Sequence, residues 1–115
     1  MNDQELLRLA AKAAGAEWTD YQRGTPNHWH IERADGVWRE WNPLNDDGDA
    51  LRLAVKLRLD LMPDAHSQEA STRSYSVCVE ESNGDDPCAA LRRAITRVAA
   101  EIGARITTED ENGRV

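Results

Sequence analysis

Few residues in this chain are equipped for chemistry, and His28-Trp29-His30 comes first. On a strand this alternation puts both imidazoles on one face and Trp29 on the other. Two imidazoles so spaced can hold a metal if one or two further ligands converge, which would fall to His66 or a carboxylate. Zinc sites usually show more ligands in their sequence, so the expectation is a solvated strand face. His28 and His30 are the only metal-ligand candidates, and no cofactor is expected. Cys78 and Cys88 are the only cysteines, with no CxxC. They are read as free thiols, a Cys78–Cys88 bridge being the alternative. Cys88 falls in the first turn of a helix, where the dipole lowers a thiol pKa, but Asp85 and Asp86 act the opposite way. No His or Asn partner is evident.

Other constellations give bland readings. GxSxG, GxxxxGK[ST] and GxGxxG are all absent. Glu80, Glu81, Asp85 and Asp86 could pair as carboxylates, but nothing apolar nearby would raise a pKa. In Asn45-Asp46-Asp47-Gly48-Asp49, setting Gly48 at position 6 of a calcium loop puts Pro43 at position 1 and Ala54 at position 12. The pattern fails, and helix capping explains the acids. Arg92, Arg93, Arg97 and Arg105 give one helix a basic face, interrupted by Glu101. A solvated face is preferred there to a phosphate or acidic-partner contact.

The tryptophans are more informative. Trp18, Trp29, Trp38 and Trp41, with Tyr21, make five of the six aromatics, and there is no Phe. Trp is an interface-anchoring residue type, but without Phe it must also fill core volume. Alternation puts Trp41 opposite Trp38, so the four cannot all enter one core if one sheet face is wet. Core and interface stay open.

These residues need elements to position them. Residues 2–15 read as a helix capped by Asn2 or Asp3 and stopped by Gly15, with Leu6, Leu9, Ala10 and Ala13 on its buried stripe. Gly24-Thr25-Pro26-Asn27 reads as a loop. Residues 28–32 and 37–41 form a hairpin across Ala34-Asp35-Gly36, expected as a type I′ turn. Residues 50–61 satisfy both periods, and the reading is a helix to about Arg58, then a strand from Leu59 to Pro63. Asp64 to Arg73 is expected to be a mobile loop, and Ser74 to Glu80 a strand. Asp86 caps the last helix with Pro87 at N1. Its stripe is Leu91, Ala94, Ile95, Val98 and Ile102, and Gly103 is read as its stop. The fold class is α+β, an antiparallel sheet of about four strands with three helices, in the order α-β-β-α-β-β-α. The similar helix openings at Asp46-Asp47 and Asp85-Asp86 suggest two strand–strand–helix units, or convergent capping.

With 115 residues the chain is sized for one domain, read as residues 1–106 followed by a disordered acidic tail over 107–115. A net charge of −7 leaves no basic excess for nucleic acid, so no direct nucleic-acid binding is expected. No window approaches a membrane span and no signal segment is evident, so the expected location is the cytoplasm.

Trp41-Asn42-Pro43-Leu44, the acidic turn, a helix and Asp85-Asp86-Pro87-Cys88-Ala89-Ala90-Leu91-Arg92-Arg93-Ala94-Ile95 resemble small tailed-phage and prophage proteins of unknown function. Their shared domain is described as a phage α-β-α sandwich. The likeness covers residues 28–103 and departs at Asp64–Arg73 and around His28. It implies a phage or bacterial setting, hence the cytoplasm of a bacterial host cell, and no activity.

The expected function is that of a non-enzymatic accessory protein that binds a host or phage protein, one version being an inhibitor whose acids mimic a phosphate backbone. The nominated contact residues are Trp29, Trp38, Trp41, Asp46, Asp47 and Asp49, and the partner is expected to be basic. The competing readings are a metal- or ligand-binding domain using His28 and His30, and a homodimeric structural protein. The chain itself is read as a monomer or homodimer.

Overall fold

The computed structural model describes the backbone of residues 1–19 and 28–113 and the side chains of residues 1–19 and 28–106. The expected loop at Gly24–Asn27 lies outside the described residues. Helix α1 (Asp3–Ala14) starts where the Asn2 side chain accepts from Glu5 N at 2.8 Å, and it ends on Gly15 at φ +80°. It buries Leu6, Leu9, Ala10, Ala11 and Ala14.

Strands β1 (Glu17–Thr19), β2 (His28–Glu32) and β3 (Trp38–Glu40) then form a three-stranded antiparallel sheet in sequence order. The 28–41 hairpin is present, but its turn is not type I′. Gly36 N donates to Arg33 O, Arg33 N donates to Val37 O, and only Gly36 has positive φ. One left-handed glycine after an ordinary turn closes a three-residue loop, which Asp35 reinforces by accepting from Val37 N at 2.9 Å.

Helix α2 (Asp47–Leu57) resolves the double periodicity in favour of the helix. Ala50, Leu53 and Ala54 are buried, while Leu51 and Val55 from the alternating set are exposed. Asp46 caps it, accepting from Asp49 N at 2.7 Å, and Arg58 ends it in the left-handed region. Strands β4 (Asp60–Pro63), β5 (Ser67–Ser71) and β6 (Cys78–Ser82) form a second three-stranded antiparallel sheet, again in sequence order.

The architecture is therefore α+β with three helices, but the expected single sheet of about four strands is two sheets of three. β1 is only three residues long and carries little pattern. β5 lies inside the segment read as a mobile loop, and it is the central strand of its sheet. Ladder bonds on both sides hold it, while its one apolar residue, Ala70, is fully buried. The Gln68 amide donates to Asp64 O and Asn83 Oδ1, both at 2.8 Å. A polar strand tolerates burial where its polar groups are matched, as its ladder and Gln68 are here, while the buried Ser71 Oγ is left without a hydrogen-bond partner. The strand expected from Ser74 begins only at Cys78. Hydroxyl bonding among Thr72, Ser74 and Ser76, with Val77 N donating to Thr72 Oγ1, diverts that backbone into a turn with Tyr75 at φ +57°.

Helix α3 (Pro87–Gly113) is the hub, packing on α1, α2, β5 and β6. Asp86 caps it, accepting from Cys88 N and Ala89 N. Ala94, Ile95, Val98, Ala99 and Ala100 are buried. Gly103 does not stop it: a Cβ there would lie 1.8 Å from the Leu9 carbonyl oxygen, so this glycine serves the close crossing of α1 over α3. The arginines on α3 tie neighbouring elements together. Arg92 donates to Leu44 O and Asp47, Arg93 to Asp3, and Arg97 to Glu81.

Candidate functional site

The first sheet divides the tryptophans by register. Trp18 pairs with Trp29 and Ile31 with Arg39, and Trp41 N bonds Trp29 O, so these side chains share one face. That face turns inward: Trp41 is 3% exposed, and Trp29 and Ile31 pack against the core. Trp18 sits at its rim, half exposed, with its ring edge-on to Trp29 at 5.2 Å.

The other face carries Glu17, Thr19, His28, His30, Glu32, Trp38 and Glu40, and none of them is buried. Glu17, His30 and Glu40 form one row across the three strands, and Glu32 pairs with Trp38 in the next. The Trp38 ring meets His30 edge-on at 4.7 Å, and His30 meets His28 at 6.1 Å. His30 Nε2 lies 3.3 Å from Thr19 Oγ1 and 4.0 Å from Glu17 Oε2. The result is an aromatic ladder flanked by carboxylates, without a Lys or Arg on the face among the described residues.

Of the six nominated contact residues, the structure leaves Trp38 exposed and Trp29 half-buried. Trp41 is withdrawn into the core because its strand parity is opposite to that of Trp38. The acidic turn makes contacts within the chain, with Asp46 and Asp47 remaining exposed and Asp49 buried. Asp46 caps α2, and Asp47 pairs with Arg92 at 2.6 Å. Asp49, 4% exposed, is buried where it fastens the first sheet to α2. It accepts from Asn42 N at 2.9 Å, Arg52 at 2.9 Å and Arg33 at 3.3 Å. A partner on the surface therefore meets neither Trp41 nor Asp49. The residues that sequence reasoning missed are Glu17, Glu32 and Glu40. Their alternation with the imidazoles and Trp38 was readable, but nothing in the sequence said which face is wet.

His28 and His30 stand on one face, as the alternation predicts. Among the described residues no three His, Cys, Asp or Glu side chains come together in a metal-holding group. Both cysteines are free and exposed. The Cys78 thiol donates to Glu69 at 2.7 Å, and that hydrogen bond, with partial desolvation and the Glu69 and Glu80 charges, raises its pKa above the ordinary thiol value. A group held protonated this way is a poor nucleophile.

No described helix is long and apolar enough to cross a membrane. Compared with known proteins, the chain matches no protein-family model, no curated protein and no solved structure.

Proposed function

We propose that this is a non-enzymatic accessory protein, of phage or prophage origin as the resemblance of residues 28–103 implies, which works by binding a basic protein through the open face of its first sheet. The observation that carries the reading is Trp38. It is 43% exposed on a face bearing Glu17, Glu32 and Glu40, the imidazoles of His28 and His30 and, among the described residues, no Lys or Arg. An exposed indole ringed by carboxylates suits an Arg or Lys side chain, which gains cation–π attraction from the ring and ion pairing from the rim. The net charge of −7 adds long-range attraction that salt screens. A phosphate-mimicking inhibitor would rely on these three glutamates, since the turn acids are committed to caps and internal pairs.

The test is affinity capture from a bacterial lysate at low and high salt, read by mass spectrometry. It compares the wild-type chain, Trp38→Ala and the double variant Glu17→Gln/Glu40→Gln. The expected result is a basic protein retained by the wild type at low salt and lost at high salt and from both variants. Equal capture by all three chains, or no capture at either salt, would overturn the reading. Light scattering on the same samples reads self-association through this face.

A further inference from the structure

A second feature lies on the side of the first sheet opposite Trp38, against the edge of the core. Between the β2–β3 hairpin, the C-terminus of α1 and the outer side of α2 is a cavity of about 350 Å³. Its apolar wall is built by Ile31, Trp41 and Leu53. Its polar rim carries three cations, Arg33, Arg52 and Lys56, from two separate elements. We propose that this cavity is a binding site for a small carboxylate with an apolar or aromatic body.

Three observations support that ligand class. First, the cations at the rim are under-matched. Arg33 and Arg52 share one buried carboxylate, Asp49, which also accepts from a backbone N–H. The Arg52 contact to Asp46 is long, at 3.8 Å. Second, Arg33 retains unused donor capacity. Its bond to Asp49 is long at 3.3 Å, and its Nε is buried without a hydrogen-bond partner. A buried donor left unmatched is costly, so an acceptor brought to this guanidinium is favoured. Third, Lys56 Nζ reaches the Ala14 carbonyl at the end of α1, a neutral acceptor that leaves its charge available to an anion. Among the described residues, Glu32, also on the rim, is the one carboxylate lining the cavity. It lies on the outward side of β2, the side that carries Trp38.

The size and walls set the rest. A cavity near the small end of the usual ligand range takes one ring or a short alkyl chain, with the apolar body against Trp41 and Leu53 and the carboxylate at the rim. The apolar wall stands on the opposite side of the sheet from Trp38, because Trp41 and Ile31 have the opposite parity, and Glu32 is the residue shared with the open face.

The probe is 4-phenylbutyrate, with 4-phenylbutanol and 4-phenylbutylamine as the neutral and cationic counterparts. Binding is followed by amide and indole shifts in a two-dimensional NMR titration of the full chain. The expected result is saturable shifts at Ala14, Ile31, Arg33, Leu53 and the Trp41 indole, with the carboxylate binding about tenfold tighter than the alcohol and the amine not binding. Lys56→Gln should weaken the carboxylate about fivefold and leave the alcohol unchanged, with the spectrum showing the fold intact. No saturable shifts up to about 10 mM carboxylate would overturn the proposal. So would equal affinity for acid and alcohol, shifts confined to other residues, or a folded Lys56→Gln that binds the acid as well as the wild type.

Discussion

Replacing Gly103 with Ala asks whether the two longest helices meet as closely as their backbones imply. In an isolated helix interior the exchange would stabilise by about 1 kcal/mol, since Ala is the better helix former. Here the added methyl would sit 1.8 Å from the Leu9 carbonyl oxygen and 2.8 Å from its carbon. Relieving that requires α1 and α3 to separate by about 1.5 Å, because the obstacle is backbone and cannot swing aside. Leu6, Leu9 and Ala10 on α1 and Ala99 and Ala100 on α3 would lose packing together. Overpacking a well-filled core costs about 1–3 kcal/mol, and a backbone obstacle belongs at the upper end. After the propensity gain, the net loss is about 2 kcal/mol, or roughly 8 °C in Tm for a domain of this size. Urea unfolding followed by circular dichroism, with a thermal scan beside it, measures both. Gly103→Ala as stable as the wild type, or more so, would refute the close-approach reading and restore a conformational role for this glycine.

Three further tests address the site and its supports. Trp41→Ala should cost about 3–5 kcal/mol in urea unfolding, since it empties a buried site. Trp38→Ala should cost less than about 1 kcal/mol while abolishing partner capture, and equal losses for the two would erase the division between core and open face. Asp49→Ala should destabilise by about 2–3 kcal/mol, below the full cost of breaking a buried pair because both Arg33 and Arg52 are partly solvated. A loss under about 0.5 kcal/mol would show that Asp49 does not fasten the first sheet. Cys78 has a raised folded pKa, so its proton is held as pH climbs, and the associated stability is present below the unfolded pKa and lost as pH rises through the folded one. In a Cys88→Ser background its alkylation should therefore begin at higher pH than for an unfolded-chain thiol, and Glu69→Gln should move the onset down. An unchanged onset in Glu69→Gln would remove the hydrogen bond as the cause.

Local chemistry in the sequence determined most of the helices. Asn2, Asp46 and Asp86 cap them as their side-chain oxygens dictate, Gly15 ends α1, and the 28–41 hairpin follows its alternation. The parity separating Trp38 from Trp41 was likewise readable, because strand side chains alternate wherever the strand lies. The hidden features depend on groups distant along the chain. β5 is a strand because β4 and β6 satisfy its backbone on both sides and small Ala70 lies beneath α3, a context that no polar pentapeptide carries. Gly103 reads as a helix stop alone and becomes a contact point only when α1 crosses it. The Asp49 carboxylate looks like one more capping acid until Arg33 and Asn42 fold back upon it. Above all, which face of the first sheet meets water was decided when Trp41 entered the core, leaving Trp38, the imidazoles and three glutamates to form the open face.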